Sequence, residues 1–417
     1  MPQNPSHASH TTQPVVGVTE AGALPGKRTW LIANLLGQIA FGLLAMTICL
    51  PSMQEWGAIF QADQAAVQLT FSAYVVAYGG LQLVYGPLSD RHGRKNVLLV
   101  GLALAGIGSL LAALSPDLPS LTAARFLQGA GAAATMVVGR SMVQDLFQGA
   151  ERTRVMAYIG MVLGMCPPLA TVIGGQLHVR LGWQSNFVLM TSLAALMFLA
   201  AWRGLPARPP LRADGDSAQT HWLVAMGRAY ARLAREPAFR LYVTILSLST
   251  ATFYAFLAGA PIVMRSYGVG PDGVGWYIMC VPMAYIVGNF LTSHWVRDKG
   301  ERRVMQIGQA AAVSGLALLL VLGFAGLKTP LAFSLPLILL GLGHGLLVPP
   351  SISGTVGLIP ALAGAAAAAA GLVQQLMGAF GGYAVGLMPH DGAVNLGLLM
   401  MGFTLCALAA QWMLHRR

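Results

Sequence analysis

Residues 64–95 read QAAVQLTFSAYVVAYGGLQLVYGPLSDRHGRK. Positions 64–89 contain no Asp, Glu, Lys or Arg, and the next six residues contain Asp90, Arg91, Arg94 and Lys95. About 20 mostly apolar residues in a helix cross the hydrocarbon core of a bilayer. The stretch therefore reads as a membrane span that stops abruptly in a charged loop. The same alternation runs through the chain. Charge-free blocks occupy 30–54, 64–89, 96–116, 118–139 (interrupted only by Arg125), 155–177, 181–202, 241–264, 273–296, 304–327, 329–390 and 392–415. Each block holds one span except 329–390, which holds two, with Pro349-Pro350 and Pro360 supplying the break. The expected fold is an all-α membrane protein with twelve transmembrane helices in two six-helix bundles. The period-2 polar pattern of a transmembrane barrel is missing, and helices satisfy their backbone groups internally. Composition agrees: 56% of the 417 residues are hydrophobic and 9% are charged, against about 25% charged in soluble domains.

Orientation follows from the basic residues. An even number of spans puts both termini on one side of the membrane. If that side is the cytoplasm, only Arg180, Arg265 and Lys328 of the loop cations fall outside, which satisfies the positive-inside rule. The net charge of +11 is then a matter of topology and lipid headgroups. Nucleic-acid binding is not expected, because the charges are spread over many short segments rather than gathered in one patch. Cys49, Cys166, Cys280 and Cys406 all lie in spans without metal-ligand or CxxC spacing, so neither a disulfide framework nor a metal site is expected. No GxxxxGK[ST] phosphate loop is present, and the nine histidines are scattered. The chain is therefore expected to be neither an ATP-driven pump nor an enzyme, and to use no cofactor.

Four segments are expected: a disordered cytoplasmic tail at 1–29, a six-helix bundle at 30–203, a cytoplasmic linker at 204–240 and a second six-helix bundle at 241–415. In the linker, Arg228, Arg232 and Arg235 share one helical face, and Trp222, Met226, Tyr230 and Leu233 another. This predicts an amphipathic helix over 218–235 on the headgroups. Two bundles separated by a linker is the plan of a transporter built from repeats, with its cavity near the midplane. The loop Asp90–Lys95 has a counterpart at Arg297–Arg303 between spans 8 and 9, aligned on glycine with acid and base exchanged.

Gly86-Pro-Leu-Ser-Asp-Arg-His-Gly-Arg-Lys95 resembles the loop signature of the major facilitator superfamily. Leu50-Pro51, Arg125-Phe-Leu-Gln-Gly129, Arg140-Ser-Met-Val-Gln-Asp-Leu-Phe147, Pro167-Pro168 with Gly174-Gly175, and Gly182-Trp183 narrow the resemblance to drug–proton antiporters of the Bcr/CflA group. That group includes bicyclomycin, chloramphenicol and sulfonamide exporters. The resemblance is dense over about 50–190 and looser beyond. It implies a bacterial inner-membrane exporter of a small organic molecule that works by proton antiport with alternating access, expected to be a functional monomer. Export of an endogenous metabolite such as a siderophore is the alternative, and proton-coupled uptake a third reading.

Residue roles follow from both sources. Gly93 suits the tight reversal after span 2, because glycine takes positive φ. Arg91, Arg94 and Lys95 are placed to pair with Asp90 and Asp145. The resemblance reads Gly86 and this charge cluster as a gating latch that breaks when the inner gate opens. Arg125 lies inside a span, where an unpaired guanidinium is expensive, so it should face the bundle interior with a partner. The resemblance links it to proton affinity, whereas holding spans 1 and 4 together through backbone carbonyls is the structural alternative. Pro167, Pro168, Gly174 and Gly175 match the antiport pattern of span 5, although Cys166 stands where glycine is usual. Thr47 occupies the position at which many members of the group carry a span-1 aspartate. The candidates for proton coupling are accordingly Arg125, Glu55, and His344 amid glycines that open room around it. The expected cavity wall is Met46, Met53, Tyr74, Tyr78, Gln128, Met165, Phe253, Tyr254, Tyr285, Asn289, Gln374 and Gln375. Without a fixed carboxylate, such a wall favours neutral cargo, or an anion meeting Arg125.

Overall fold

The computed structural model describes residues 25–207, 228, 230–359, 362–389 and 392–416. Among them there are helices and no strands. The spans are Pro25–Thr47, Gln64–His92, Arg94–Ala113, Leu118–Leu146, Gly149–Leu181 and Gln184–Gly204 in the first half. In the second half they are Pro237–Ser266, 271–299, 301–324, Pro330–Gly357, Ala363–Gly386 and Ala393–His415. These are the twelve expected spans. Helix boundaries follow local chemistry. The Asp63 carboxylate accepts from Ala66 N–H at 2.7 Å, and Asp117 forms a capping box with Ser120. Both groups satisfy amides that a helix N-terminus leaves unpaired. Gly93 (φ +88°) is at once the end of span 2 and the start of span 3, and Gly300 (φ +75°) makes the matching break between spans 8 and 9. The loop repeat legible in the sequence is thus a repeat of backbone conformation.

Two boundaries differ from expectation. Span 1 is already helical at Pro25, the first described residue, with Arg28 ion-paired to Glu151 of span 5. Pro349-Pro350 do not break the chain: span 10 runs through them to Gly357, and span 11 starts at Ala363, so of the expected break only the position of Pro360 falls between the two helices. A proline removes the N–H that would bond the carbonyl four residues earlier. For Pro349 that carbonyl is Gly345 O, which accepts from the Thr292 hydroxyl at 2.9 Å instead. Finally, most of the predicted amphipathic helix at 218–235, including Trp222 and Met226, lies outside the described residues, as do residues 1–24. The described part, 230–235, is helical, and Leu233 is buried against Phe239, Val243 and Leu246.

Among the described residues, nine stretches are long and apolar enough to cross a membrane, one of them holding spans 8 and 9 together. Spans 4 and 11 are not among them, and span 4 is diluted by Arg125 and Gln128. Lipid gives apolar helices no hydrophobic reason to associate, so they are held by close packing and interhelical hydrogen bonds. That packing shows how the two bundles meet. A Cβ on Gly175 of span 5 would overlap the Pro271 carbonyl of span 8, one on Gly386 would meet Ala65, and one on Gly79 would meet Gln375. Gln68 Nε2 donates to Ala258 O (3.1 Å) and Ser72 Oγ to Ala379 O (2.9 Å). These contacts run from the face away from the basic loops to the middle of spans 2 and 11, at Gly79 and Gln375. Nearer the basic loops, a Cβ on Gly86, Gly160, Gly357 or Gly371 would have no neighbour within 4 Å. The bundles are closed together on one face and apart on the basic face.

Candidate transport cavity and its polar contacts

Where the bundles diverge they enclose a cavity of about 250 Å³, lined by Leu163, Gly164 and Pro167 from the first bundle and, from the second, Ser249, Thr250, Phe253, Tyr254, Pro282, Tyr285, His344, Val348 and Gln374. Span 5 thus faces spans 7, 8, 10 and 11 across it. Of the expected wall residues, Phe253, Tyr254, Tyr285 and Gln374 are here, together with Pro167 and His344. Gln374 Nε2 donates to Thr250 Oγ1 at 2.8 Å, and the Tyr254 hydroxyl donates to Gln375 Oε1 at 3.2 Å, so the polar wall is held in place. Tyr285 lies beside Asn289, one turn further along span 8. The lining contains aromatic rings, hydroxyls, one amide and one imidazole, and neither a carboxylate nor a guanidinium.

Contrary to the expectation from the sequence, the glycines around His344 do not open space. Gly341, Gly343 and Gly345 bring span 10 into backbone contact with Val281, Gly308 and Tyr285. His344 is 4% exposed, and its ring is presented to the cavity by a helix wedged against spans 8 and 9. The remaining wall candidates lie elsewhere. Met46 and Met53 are buried in the first bundle, and Met165 is outward-facing and 41% exposed. Tyr74 and Tyr78 stack on each other at 5.9 Å. The Tyr74 hydroxyl donates to Gly42 O at 2.6 Å.

Arg125 is fully buried and does not line the cavity. Its Nη1 donates to Ala45 O (2.7 Å) and Gln128 Oε1 (2.5 Å), its Nη2 to Met46 O (3.2 Å), and its guanidinium sits 4.3 Å from the Tyr74 ring centroid. Ala45 and Met46 are in the last turn of span 1, where carbonyls lack helical amide partners. A cation there also meets the negative end of the helix dipole. Arg125 therefore works as a C-terminal cap reaching across from span 4. Gln128 Nε2 in turn donates to Ser109 Oγ of span 3 at 2.8 Å.

On the basic face, Arg94 pairs with Asp90 (2.6 Å) and Asp145 (3.1 Å) and donates to Ser89 Oγ (2.7 Å). Lys95 departs from the expected acid pairing and donates to the carbonyls of Trp202 (2.6 Å) and Leu205 (2.9 Å), capping span 6. Arg91 is exposed, with no side-chain partner among the described residues. All these bonds lie within the first bundle and are intact while the basic face is apart.

Glu55 faces a histidine that the sequence reading did not single out. His178 Nε2 lies 3.0 Å from Glu55 Oε2 and its Nδ1 3.0 Å from Ser52 Oγ, and Ser52 Oγ accepts from Asn186 Nδ2 at 3.0 Å. His178 is 7% exposed and sits on span 5 one turn past Gly174-Gly175. Span 5 approaches span 1 so closely that a Cβ on Gly174 would overlap Ile48 O. The pair spans 123 residues of sequence, and only the packing of span 5 on span 1 brings it together. Its one local signal is Ser52 and Glu55, spaced one turn apart.

The family model described as Major Facilitator Superfamily matches residues 31–382. Multidrug resistance protein D of Escherichia coli (strain K12) is 27% identical over 375 residues, covering 89% of this chain and 92% of that protein. The chloramphenicol resistance protein of Pseudomonas aeruginosa is 27% identical, with 87% and 86% covered. Among solved structures, a bacterial homolog to the human lysosomal transporter Spinster, inward-facing and occupied, superimposes with a TM-score of 0.75 at 14% identity, over 95% of this chain and 98% of that one. A D-xylose–proton symporter does so with a TM-score of 0.72 at 16% identity, over 91% and 96%.

Proposed function

Because this chain belongs to the Major Facilitator Superfamily, we propose that it exports a neutral small organic molecule across the bacterial inner membrane in exchange for protons, as a monomer, with its termini and basic face in the cytoplasm. The observation that carries this reading is the cavity. It lies between the bundles, is walled by Phe253, Tyr254 and Tyr285, and bears polar but uncharged groups at Thr250 and Gln374. Apolar walls with a few fixed polar groups suit an organic ligand. The absence of a lining carboxylate disfavours a cation, and the sequestration of Arg125 removes the reason to favour an anion. Relatives named for multidrug and chloramphenicol resistance support a drug-like cargo. The bundles are apart on the basic face, which gives loading from the cytoplasm. Export is supported by span 5, whose Gly174-Gly175 pack against span 1 and the start of span 8 and seal the far side. His344 is the one imidazole in the cavity wall, so cargo and proton compete for one place. The Arg94 pairs stay within the first bundle. Arg91 and the uncovered face of Gly86 are then what the second bundle meets when the inner gate closes.

Everted vesicles test this reading. A neutral phenicol should collapse an imposed proton gradient, a permanently cationic dye should not, and His344→Gln should abolish the phenicol-dependent proton flux. Strong dye-driven flux would overturn the cargo assignment. Undiminished proton flux in His344→Gln would overturn the coupling assignment.

A further inference from the structure

A second, larger recess lies on the second bundle. It is a groove of about 610 Å³ between spans 9 and 12, at the end nearest the basic face. None of the residues lining it lines the transport cavity. Its rim carries Arg302 and Arg416, with His415 and Trp412 between them. The Arg416 guanidinium lies 3.4 Å from the Trp412 ring centroid. This stacking holds one cation at the mouth instead of leaving it free in solvent.

The floor is unusual. Gln411 is 2% exposed, and neither its Oε1 nor its Nε2 has a hydrogen-bond partner among the described residues. Beside it Gln309 is 1% exposed. Its Nε2 donates to Thr404 O at 2.7 Å, but its Oε1 is also unpartnered. A buried polar atom left unpaired is expensive, the more so next to lipid. Two such amides at the base of one groove point to a ligand that supplies their partners. Depth fits as well. Seven residues separate Arg302 from Gln309, about 10 Å along a helix, so the groove reaches from the headgroup layer to the edge of the hydrocarbon. Beyond the amides it is flanked by the apolar side chains of Val313 and Leu408.

We propose that this groove binds the phosphate headgroup of an anionic phospholipid. Two guanidiniums meet the phosphate, the glutamine amides meet the polar glycerol region, and an acyl chain follows Val313 and Leu408 into the bilayer. Basic recesses between spans are suited to such headgroups, and the guanidinium fork fits phosphate oxygens. A free phosphate ester would share the headgroup contacts but would leave the apolar flank uncovered.

Native mass spectrometry of the purified full-length transporter, titrated with phosphatidylglycerol, phosphatidylethanolamine or glycerol 3-phosphate, tests the assignment. The expected result is retention of phosphatidylglycerol over phosphatidylethanolamine, weakened about fivefold by Arg302→Gln and again by Arg416→Gln, the scale of one cation near a charged surface. Gln411→Leu replaces an unpartnered amide with an apolar group of similar size and should fold. It should lower retention, as should Ala310→Trp, which fills the groove from its exposed edge. Equal retention of the two lipids, or unchanged phosphatidylglycerol retention in all four variants, overturns the site. Binding of glycerol 3-phosphate as tight as that of phosphatidylglycerol overturns the lipid as its occupant.

Discussion

Arg125 shows what a charge does in a membrane interior when no acid is at hand. Its donors go to the last carbonyls of span 1 and to Gln128, and its face lies on Tyr74. Removing it strands Ala45 O and Met46 O in a dry interior, at about 1–3 kcal/mol for each unsatisfied group. Arg125→Ala should therefore lower the thermal unfolding midpoint of the detergent-solubilised protein by several degrees. Arg125→Lys, with one compact ammonium in place of a planar fork, should fall between it and the parent. An Arg125→Ala midpoint equal to the parent's would contradict the capping role. A smaller effect belongs to Asp117, whose carboxyl the Ser120 N–H and hydroxyl hold below the ordinary value. A depressed folded-state pKa contributes stability that is present above the unfolded value of about 4 and is lost as pH falls through the folded one. Asp117→Asn, which keeps the cap without titrating, should flatten that part of an acid-denaturation curve.

At the scale of elements, helix packing rests on what each span lacks. Span 5 has no Cβ at 174 and 175, so it lies directly on the carbonyls of Ile48 and Pro271. A bulky side chain there meets backbone, which cannot rotate away. Gly175→Val should push the bundles apart on the far face. A cysteine placed at Gln68, fully buried in this state, should then react with an aqueous maleimide many times faster than in the parent. At the other end the space beside Gly86 is empty. Gly86→Trp should leave the fold and the present state undisturbed but block closure of the basic face, so that cargo still binds and turnover stops. Retained transport in Gly86→Trp would show that the faces do not approach there. The prolines make the complementary point: span 10 passes through Pro349-Pro350 because a hydroxyl on span 8 takes up the carbonyl that Pro349 releases.

For the molecule as a whole, the two bundles and the repeat relating them were legible from the pattern of charge-free blocks and from the loops around Gly93 and Gly300. Reporter fusions within 204–240 should behave as cytoplasmic, and fusions after Arg180 or Lys328 as external; the reverse pattern would invert every statement about direction. The cavity was legible only in part. Phe253, Tyr254, Tyr285 and Gln374 are where an amphiphilic wall was expected, whereas Met46, Met53 and Met165 are not, because residue type along a span does not reveal which way each helix is rotated. What the sequence by itself determined is what hydropathy and charge determine: how many helices cross and which loops are basic, since each is a local balance between a segment and its solvent. The tertiary structure alone decided the partners. Arg125 caps a helix 80 residues away, His178 meets Glu55, and two glutamines share the floor of a groove. Such pairings depend on helix rotation and close approach, set by interlocking small and large side chains from several spans at once, and no one-dimensional pattern carries that geometry.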